Sequence, residues 1–484
     1  MKPLTLLTVA IAVLIQSYAL IAQNYNDALL LSEPGLYTGA RALSMGNSYT
    51  SLSDDISGLL FNPAGIGMVK NVKLFGGFSI NSFNNKTTFF NNTTNANNTS
   101  ANFNQFGLLY PLPVIQGSWV FGFGYNRVKD FNSIMEFDGF NGGNNSMIQT
   151  LTGSYNEVAP ITYDLYLSYY DTSDGLDKTL IDGMLNQSGK IKKQGSIDNW
   201  SFATSVEVAK GFFIGGTFNI LSGKYKSNSD YWEDDSRNYY GMNLELVPGD
   251  ATTRDFQSFY LNDIIDWDLS GWDAQIGVLY NWINKFRFGA SVKFPSYFTI
   301  KENYLVNANS YFGSGYEYTL NPAINSPAKY EIKTPYEYSF GASATISLLT
   351  VAADLKIMNY TEMEFTDGFD YSYLSDRNRE IEDLFTTTLN YHLGAEFRIP
   401  IQIPLWGRAG FMYLPSPYAN DPSEYDKKYL TAGAGTLIDD TFGIDLAYAY
   451  GWWKDYGDNY GSNVSRTYQD INVNNLFLNL YIKY

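Results

Sequence analysis

The residues best suited to chemistry crowd into one stretch near the start of the chain, Gly39 to Gly65, GARALSMGNSYTSLSDDISGLLFNPAG. Arg41 is a permanent cation with a planar fork of N–H donors, fit for a carboxylate on the protein or on a ligand. Pro63 fixes its own φ and pushes Asn62 out of the helical region, so Asn62-Pro63-Ala64 ends any short helix begun near Asp54. Asp54 or Ser53 would cap that helix, with Asp55 in its first turn. Elsewhere the parts for catalysis are scarce. His392 is the only histidine, there is no cysteine, and no G-x-S-x-G elbow occurs. The chain therefore reads as a non-enzyme, with no catalytic residues, no cofactor and no metal site. The acidic groups Glu233-Asp234-Asp235 and Asp367 with Asp370 lack EF-hand spacing and read as solvated loop.

The Gly39–Gly65 stretch cannot be a strand. It holds two acids, several glycines and a proline, and its apolar residues do not alternate. It reads as a small folded insert at the mouth of something larger. In that setting Arg41 either pairs with an acid such as Asp273, Asp354, Glu396 or Asp445 to hold the insert, or receives a carboxylate ligand.

Ahead of it lies a secretory signal peptide: Lys2, an apolar run from Leu4 to Ile15, then small residues at Ser17, Ala19 and Ala22, with cleavage after Ala19 or Ala22. No later stretch approaches the roughly 18–20 apolar residues of a spanning helix. The mature chain is then either a secreted soluble protein or a membrane β-barrel. With 40 Tyr, 32 Phe and 9 Trp it suits the aromatic girdles of a barrel. The lack of cysteine excludes a disulfide scaffold and thiolate metal sites. A net charge of -17 excludes nucleic acid as a partner.

The rest of the chain alternates with period 2. In FRFGASVKF, Phe286, Phe288, Ala290, Val292 and Phe294 face one way and Arg287, Gly289, Ser291 and Lys293 the other. LNYHLGAEFR sets Leu389, Tyr391, Leu393, Ala395 and Phe397 against Asn390, His392, Gly394, Glu396 and Arg398. Alternation alone does not separate a sandwich from a barrel; three further features do. Strands are expected at 72–83, 102–111, 117–129, 197–208, 211–222, 269–283, 285–296, 330–346, 347–358, 387–400, 404–415, 427–438, 441–452 and 473–484, an even count of lengths that cross a bilayer at a tilt. Long and short connections alternate, as in outer-membrane barrels, and the long ones read as solvated loops. The sequence closes on NLFLNLYIKY, with Tyr484 in phase with Ile482, Leu480, Leu478 and Leu476, a pattern that resembles the signal read by the barrel assembly machinery.

The motifs Gly39-Ala40-Arg41-Ala42-Leu43-Ser44-Met45-Gly46, Asp54-Asp55-Ile56-Ser57 and Phe61-Asn62-Pro63-Ala64-Gly65 together resemble the N-terminal hatch of the FadL/TodX outer-membrane transport family. The resemblance implies an all-β fold, a 14-stranded antiparallel transmembrane barrel whose lumen is closed by an N-terminal hatch. The expected divisions are 1–22 signal peptide, 23–71 hatch and 72–484 barrel with long extracellular loops. The implied setting is the Gram-negative outer membrane, among lipid and lipopolysaccharide, with both termini periplasmic.

The implied activity is import of hydrophobic solutes, long-chain fatty acids or hydrocarbons. Solute is captured at an extracellular apolar groove, passed to a pocket at the hatch, and released sideways through the wall where the third strand kinks. Here that strand carries Gly117, Gly122 and Gly124, which tolerate a kink. Asn62, Pro63, Ala64 and Arg41 are the candidate gating residues, and Tyr311-Phe312, Tyr316 and Tyr318 the candidate groove aromatics, or equally strand tops of the girdle. The alternative is a non-transport barrel subunit of a protein secretion system, and a lesser one a channel for small polar solutes.

Overall fold

The computed structural model describes residues 23–36, 39–152, 161–461 and 463–484; the signal peptide lies outside them. Fourteen antiparallel strands close on themselves into one barrel. In chain order they are β1 (Lys73–Phe89), β2 (Asn92–Leu112), β3 (Trp119–Asp130, continued as Ser133–Asn141), β4 (Leu185–Ala209) and β5 (Phe212–Asp234). Next come β6 (Phe256–Trp282), β7 (Phe286–Lys293 and Tyr297–Phe312), β8 (Ile324–Lys333 and Glu337–Ile346) and β9 (Leu349–Asn359, continued as Glu364–Asp367). β10 (Thr387–Ile399), β11 (Leu405–Leu414), β12 (Lys427–Ile438), β13 (Phe442–Asp458) and β14 (Arg466–Lys483) complete the wall. β14 pairs with β1 through Tyr481 and Phe75, so no strand edge is left open. Pro295 and Pro335 stand at the breaks within β7 and β8, where a residue without an N–H cannot serve the ladder.

Every expected strand is present, and the alternation has the expected sense. Phe288, Phe340, Leu393 and Leu446 point outward and are exposed, while Ser291, Asp354, Glu396 and Asp445 are buried inside. Among the described residues no helix is long and apolar enough to cross a membrane.

The long connections differ from the solvated loops expected. β5 and β6 stay paired up to Asp234 and Ser258, and β4 and β5 up to Asn186 and Asp234. The upper segments of β4 and β5 carry polar residues on both faces, so apolar alternation misses them, yet the backbone ladder simply continues. Above them Phe89, Phe137, Leu165, Leu167, Phe256, Phe259 and Phe312 share a buried core, so the long connections build a folded head. Among the described residues six short helices accompany the barrel: α1 (Tyr25–Ser32), α2 (Ala40–Ser44), α3 (Gly58–Phe61), α4 (Met147–Thr152), α5 (Ile161–Asp164) and α6 (Tyr371–Leu384).

Candidate functional site: the hatch and the lumen above it

Residues ahead of β1 fill the lumen. α2, α3 and a 3-10 turn over Pro63–Met68 are nearly wholly buried. Ala42, Met45, Tyr49, Leu52, Leu60 and Phe61 form one apolar cluster, and Ile56, Leu59 and Ile66 pack on Leu109 and Val120 of the wall. The α3 helix starts at Gly58 after Ser57, which makes no side-chain cap. Neither Asp54 nor Ser53 caps it, in contrast to the sequence reading. Ser57 N–H is taken by Asp55 Oδ1 instead, at 2.8 Å.

Asn62 is fully buried, and its amide is fully used. Its Nδ2 donates to Thr50 O at 2.9 Å inside the hatch and to Val278 O at 3.0 Å on β6, while Oδ1 accepts from Ala64 N at 3.1 Å. Pro63 and Ala64 lie against Gly215, where any side chain would overlap them. Ser205 donates to Ala64 O at 2.8 Å, and Gln275 and Ser291 donate to Phe61 O at 2.9 and 2.8 Å. Phe61 and the Asn-Pro-Ala turn are thus hydrogen-bonded to β4, β6 and β7 and packed against Gly215 of β5.

The opposite side of the hatch meets β7 to β12. Asp354 on β9 accepts the backbone N–H groups of Tyr49 and Thr50 at 2.8 and 2.6 Å. The ring Nδ1 of His392 donates to Gly46 O at 2.9 Å, which gives the lone histidine a structural partner. A Cβ added to Gly289, Gly394 or Gly410 would overlap the backbone of Thr50, Met45 and Gly46 respectively. Backbone therefore rests on backbone, an approach only glycine permits. These inward glycines are visible as a phase in the sequence, but only the register shows that they lie side by side.

Arg41 sits at the short-turn end. It reaches Asp54 at 2.6 Å within the hatch and Glu396 of β10 at 3.0 Å. Asp54 also pairs with Arg287 at 2.9 Å, and Glu396 with Arg408 at 2.7 Å, which continues to Asp445 at 2.5 Å. Three cations and three acids form one chain across the opening. Burial works against the charge on Asp54, but Arg41 and Arg287 outweigh it and hold its carboxyl well below the usual range.

Above the hatch the lumen is stopped a second time. α1 lies inside the barrel, with Ala28 and Leu31 packed among Phe298, Tyr330, Met358 and Ile381. Gln23 donates to Glu302 at 2.5 Å, Lys427 pairs with Glu33 at 2.7 Å, and Lys129 donates to the carbonyls of Leu30 and Glu33. Tyr484 lies at the short-turn end, bonded to Val72 O at 2.9 Å, whereas the first described residue, Gln23, lies inside the barrel on the long-loop side of the hatch. Between α1 and the hatch a cavity of about 70 Å³ remains, bordered by Leu31, Leu60, Asn199, Lys293, Phe298 and Met358.

No protein-family model and no curated protein matches this sequence. Solved structures do. The P. putida toluene transporter TodX aligns at 13% identity over 93% of this chain and 99% of its own, with a TM-score of 0.54. A Pseudomonas aeruginosa FadL homologue aligns at 11% identity over 94% of this chain and 99% of its own, with a TM-score of 0.56. This chain has the FadL/TodX fold. Within that fold, Gly122 and Gly124 of β3 face inward and leave room for Leu59, whose methyl carbons would lie 3.0 and 3.1 Å from a Cβ at either position. The β2–β3 ladder runs unbroken past both. The register of β3 slips instead between Arg127 and Lys129, against β4. Gly117 stands in the preceding turn at φ 76°, a conformation that favours glycine.

In the head of the barrel, Phe312 is core, while Tyr311 and Tyr316 are exposed and Tyr318 stacks between Tyr166 and Tyr316 at ring distances of 4.1 and 6.4 Å. Of the loop acids expected to be solvated, Glu233 and Asp235 are instead buried on backbone donors, while Asp367 and Asp370 are exposed. Glu233 is buried and accepts from Met147 N and Ile148 N at 2.7 and 3.3 Å, Asp235 accepts from Tyr239 N and Tyr240 N at 2.8 and 2.6 Å, and Asp370 caps α6. No metal-holding group of acids and histidine occurs among the described residues.

Proposed function

We propose that this chain imports hydrophobic solutes, long-chain fatty acids or hydrocarbons, across a bacterial outer membrane. The observation that carries the reading is a lumen stopped twice, by the hatch and by α1, with a narrow cavity of about 70 Å³ between the two stoppers. An always-open pore for polar solutes would need neither. A cavity of roughly 150 Å³ takes up benzene, so even a single aromatic ring requires α1 or the hatch to move. The path runs from the head, past a displaced α1, into the space above Leu60. Moving a hydrocarbon through water costs about 0.8 kcal/mol per methylene, which favours release sideways into the membrane over exit past the charged chain at the short-turn end.

The exit is proposed along β3, where only Leu59 of the hatch fills the room left by Gly122 and Gly124 and the register slips at Arg127–Lys129. Arg41, Asn62, Pro63 and Ala64 are proposed to hold the hatch while solute passes above it. The toluene transport named for TodX supports the solute class.

The test is native mass spectrometry of the delipidated barrel with long-chain fatty acids, alkanes and monoaromatics. One retained hydrophobic ligand, lost when residues 23–71 are removed, is the expected result and names the solute class. A protein partner in the membrane extract with no retained ligand would replace this reading by that of a secretion-system subunit.

A further inference from the structure

The outer face of β4 to β8 is layered. Trp200 of β4, Ile220 of β5, Trp272 of β6 and Tyr297 of β7 stand abreast in the barrel register, and all are exposed. Large rings with a polar tip are the side chains that settle at a membrane interface. Two residues nearer the head, on the same face, Ser222, Ser270 and Thr299 again lie abreast. Two residues further come Lys224, Asp268, Lys301 and, on β8, Lys329. The alternate residues Leu221, Tyr225, Leu269, Phe298, Ile300 and Tyr330 are buried inside, which fixes the outward phase of all three rows.

The top row holds a conflict. Lys301 and Lys329 are direct cross-strand partners, both exposed, and like charges so placed repel. Neither has an ion pair among the described residues. Asp268, on the other side of Lys301, is already paired with Lys224 at 3.4 Å. Glu331, one step below Lys329, accepts the Thr299 hydroxyl at 3.2 Å, and one step above the row Asp266 faces Lys226. The row sets three cations against one acid in a chain of net charge -17, and an anion between the two opposed lysines would relieve them.

The level of the row limits which anion reaches it. From Tyr297 to Lys301 the strand rises about 13 Å, which is about 10 Å above the aromatic belt once barrel tilt is allowed for. A phospholipid headgroup layer is about 6 Å thick. An anion at the lysines is therefore carried by a headgroup taller than a glycerol phosphate. The uncharged hydroxyls of Ser222, Ser270 and Thr299, between belt and lysines, suit the sugar of such a headgroup.

We propose that this face binds a phosphorylated glycolipid of the outer leaflet, its acyl chains below the aromatic belt, its sugars along Ser222, Ser270 and Thr299, and a phosphate between Lys301 and Lys329. The site is on the outside of the wall and is separate from the solute path, and it uses only the membrane setting proposed above. Charge selects a phosphorylated over an uncharged headgroup, and height selects a glycolipid over a phospholipid.

Native mass spectrometry of the intact barrel tests it, with equal amounts of bisphosphorylated lipid A, the same lipid A stripped of phosphate, and phosphatidylglycerol. The wild type should retain phosphorylated lipid A above the other two. K301Q/K329Q should lower that retention about tenfold, the scale of two basic side chains at an anionic membrane surface. S270L, which puts an apolar group into the hydroxyl row, should lower retention of both forms of lipid A. Heat-modifiable mobility shows that each variant is folded, and retained hydrophobic solute should be unchanged in both. Equal retention of the two forms of lipid A, retention of phosphatidylglycerol matching that of phosphorylated lipid A, or retention unaltered in K301Q/K329Q or in S270L would overturn the proposal.

Discussion

Arg41 and Glu396 join the hatch to the barrel wall by two parallel bonds, Nε to Oε2 at 3.0 Å and Nη2 to Oε1 at 3.2 Å. The fork is the geometry for which arginine is better suited than lysine. Because Glu396 is shared with Arg408, its carboxylate stays balanced when one partner is lost. R41K should therefore keep the barrel and loosen the hatch. The pair is part-exposed, so a discounted loss of about 1 kcal/mol in hatch docking is expected. Single-channel recordings should show brief openings that the wild type lacks; an unchanged closed trace would place the hold elsewhere.

Removal of residues 23–71 takes away both stoppers at once. Conductance should rise from near zero to that of an open pore. A barrel that stays closed without these residues would show that the inward wall side chains fill the lumen unaided.

Asn62 should matter more than its size suggests. N62A strips two buried carbonyls, Thr50 O and Val278 O, of their donor. Leaving buried acceptors unpaired costs about 1–3 kcal/mol each. Uptake should fall while the barrel keeps its heat-modifiable mobility, and loss of the folded barrel would instead mark Asn62 as a folding residue.

Gly410 and Gly394 provide a graded steric test. G410A brings a methyl group onto the Gly46 backbone, and G394V a larger group onto Met45. Both should push the hatch off its seat and speed hydrogen exchange of residues 44–50. Exchange equal to wild type would mean that the wall yields and the hatch does not.

The two stoppers should respond oppositely to pH. Burial raises the Asp27 carboxyl of α1 well above its usual range. Its ionisation is resisted in the docked state, so α1 should be held more firmly as pH falls and more weakly as pH rises through the raised value. Asp54 has a lowered carboxyl. Its contribution to hatch docking is complete above the ordinary carboxylate range and is lost only as pH falls through the depressed value. After correction for intrinsic exchange, the protection of α1 should rise as pH falls from above the raised Asp27 value while that of the hatch stays level, and D27N should weaken the trend. Parallel pH dependence of α1 and hatch would refute this separation.

The sequence by itself determined the wall. Period-2 alternation such as Phe286, Phe288, Ala290 against Arg287, Gly289, Ser291 exists because lipid and lumen impose opposite polarity on neighbouring residues, and that constraint is local. It placed all fourteen strands, and the breaks in alternation between Gly39 and Gly65 marked the hatch. Arg41 was readable as a holder because a permanent cation in a lumen needs an acid, and Glu396 was among the few in phase.

Other features were settled only by tertiary structure. The upper ladder of β4 and β5 carries polar residues on both faces, so no alternation announces it and only pairing across strands makes it sheet. Glu233 looks like a solvated loop acid until the head folds and aims two backbone N–H groups at it. The 23–71 segment reads as one hatch; that α1 forms a separate stopper above it was not legible, since the partners of its flanking Gln23 and Glu33, Glu302, Tyr373 and Lys427, lie hundreds of residues away. The glycines under the hatch become a seat, and the outward lysines of β7 and β8 a pair, only when barrel register sets them abreast, because contact between distant strands is a property of closure and not of any single segment.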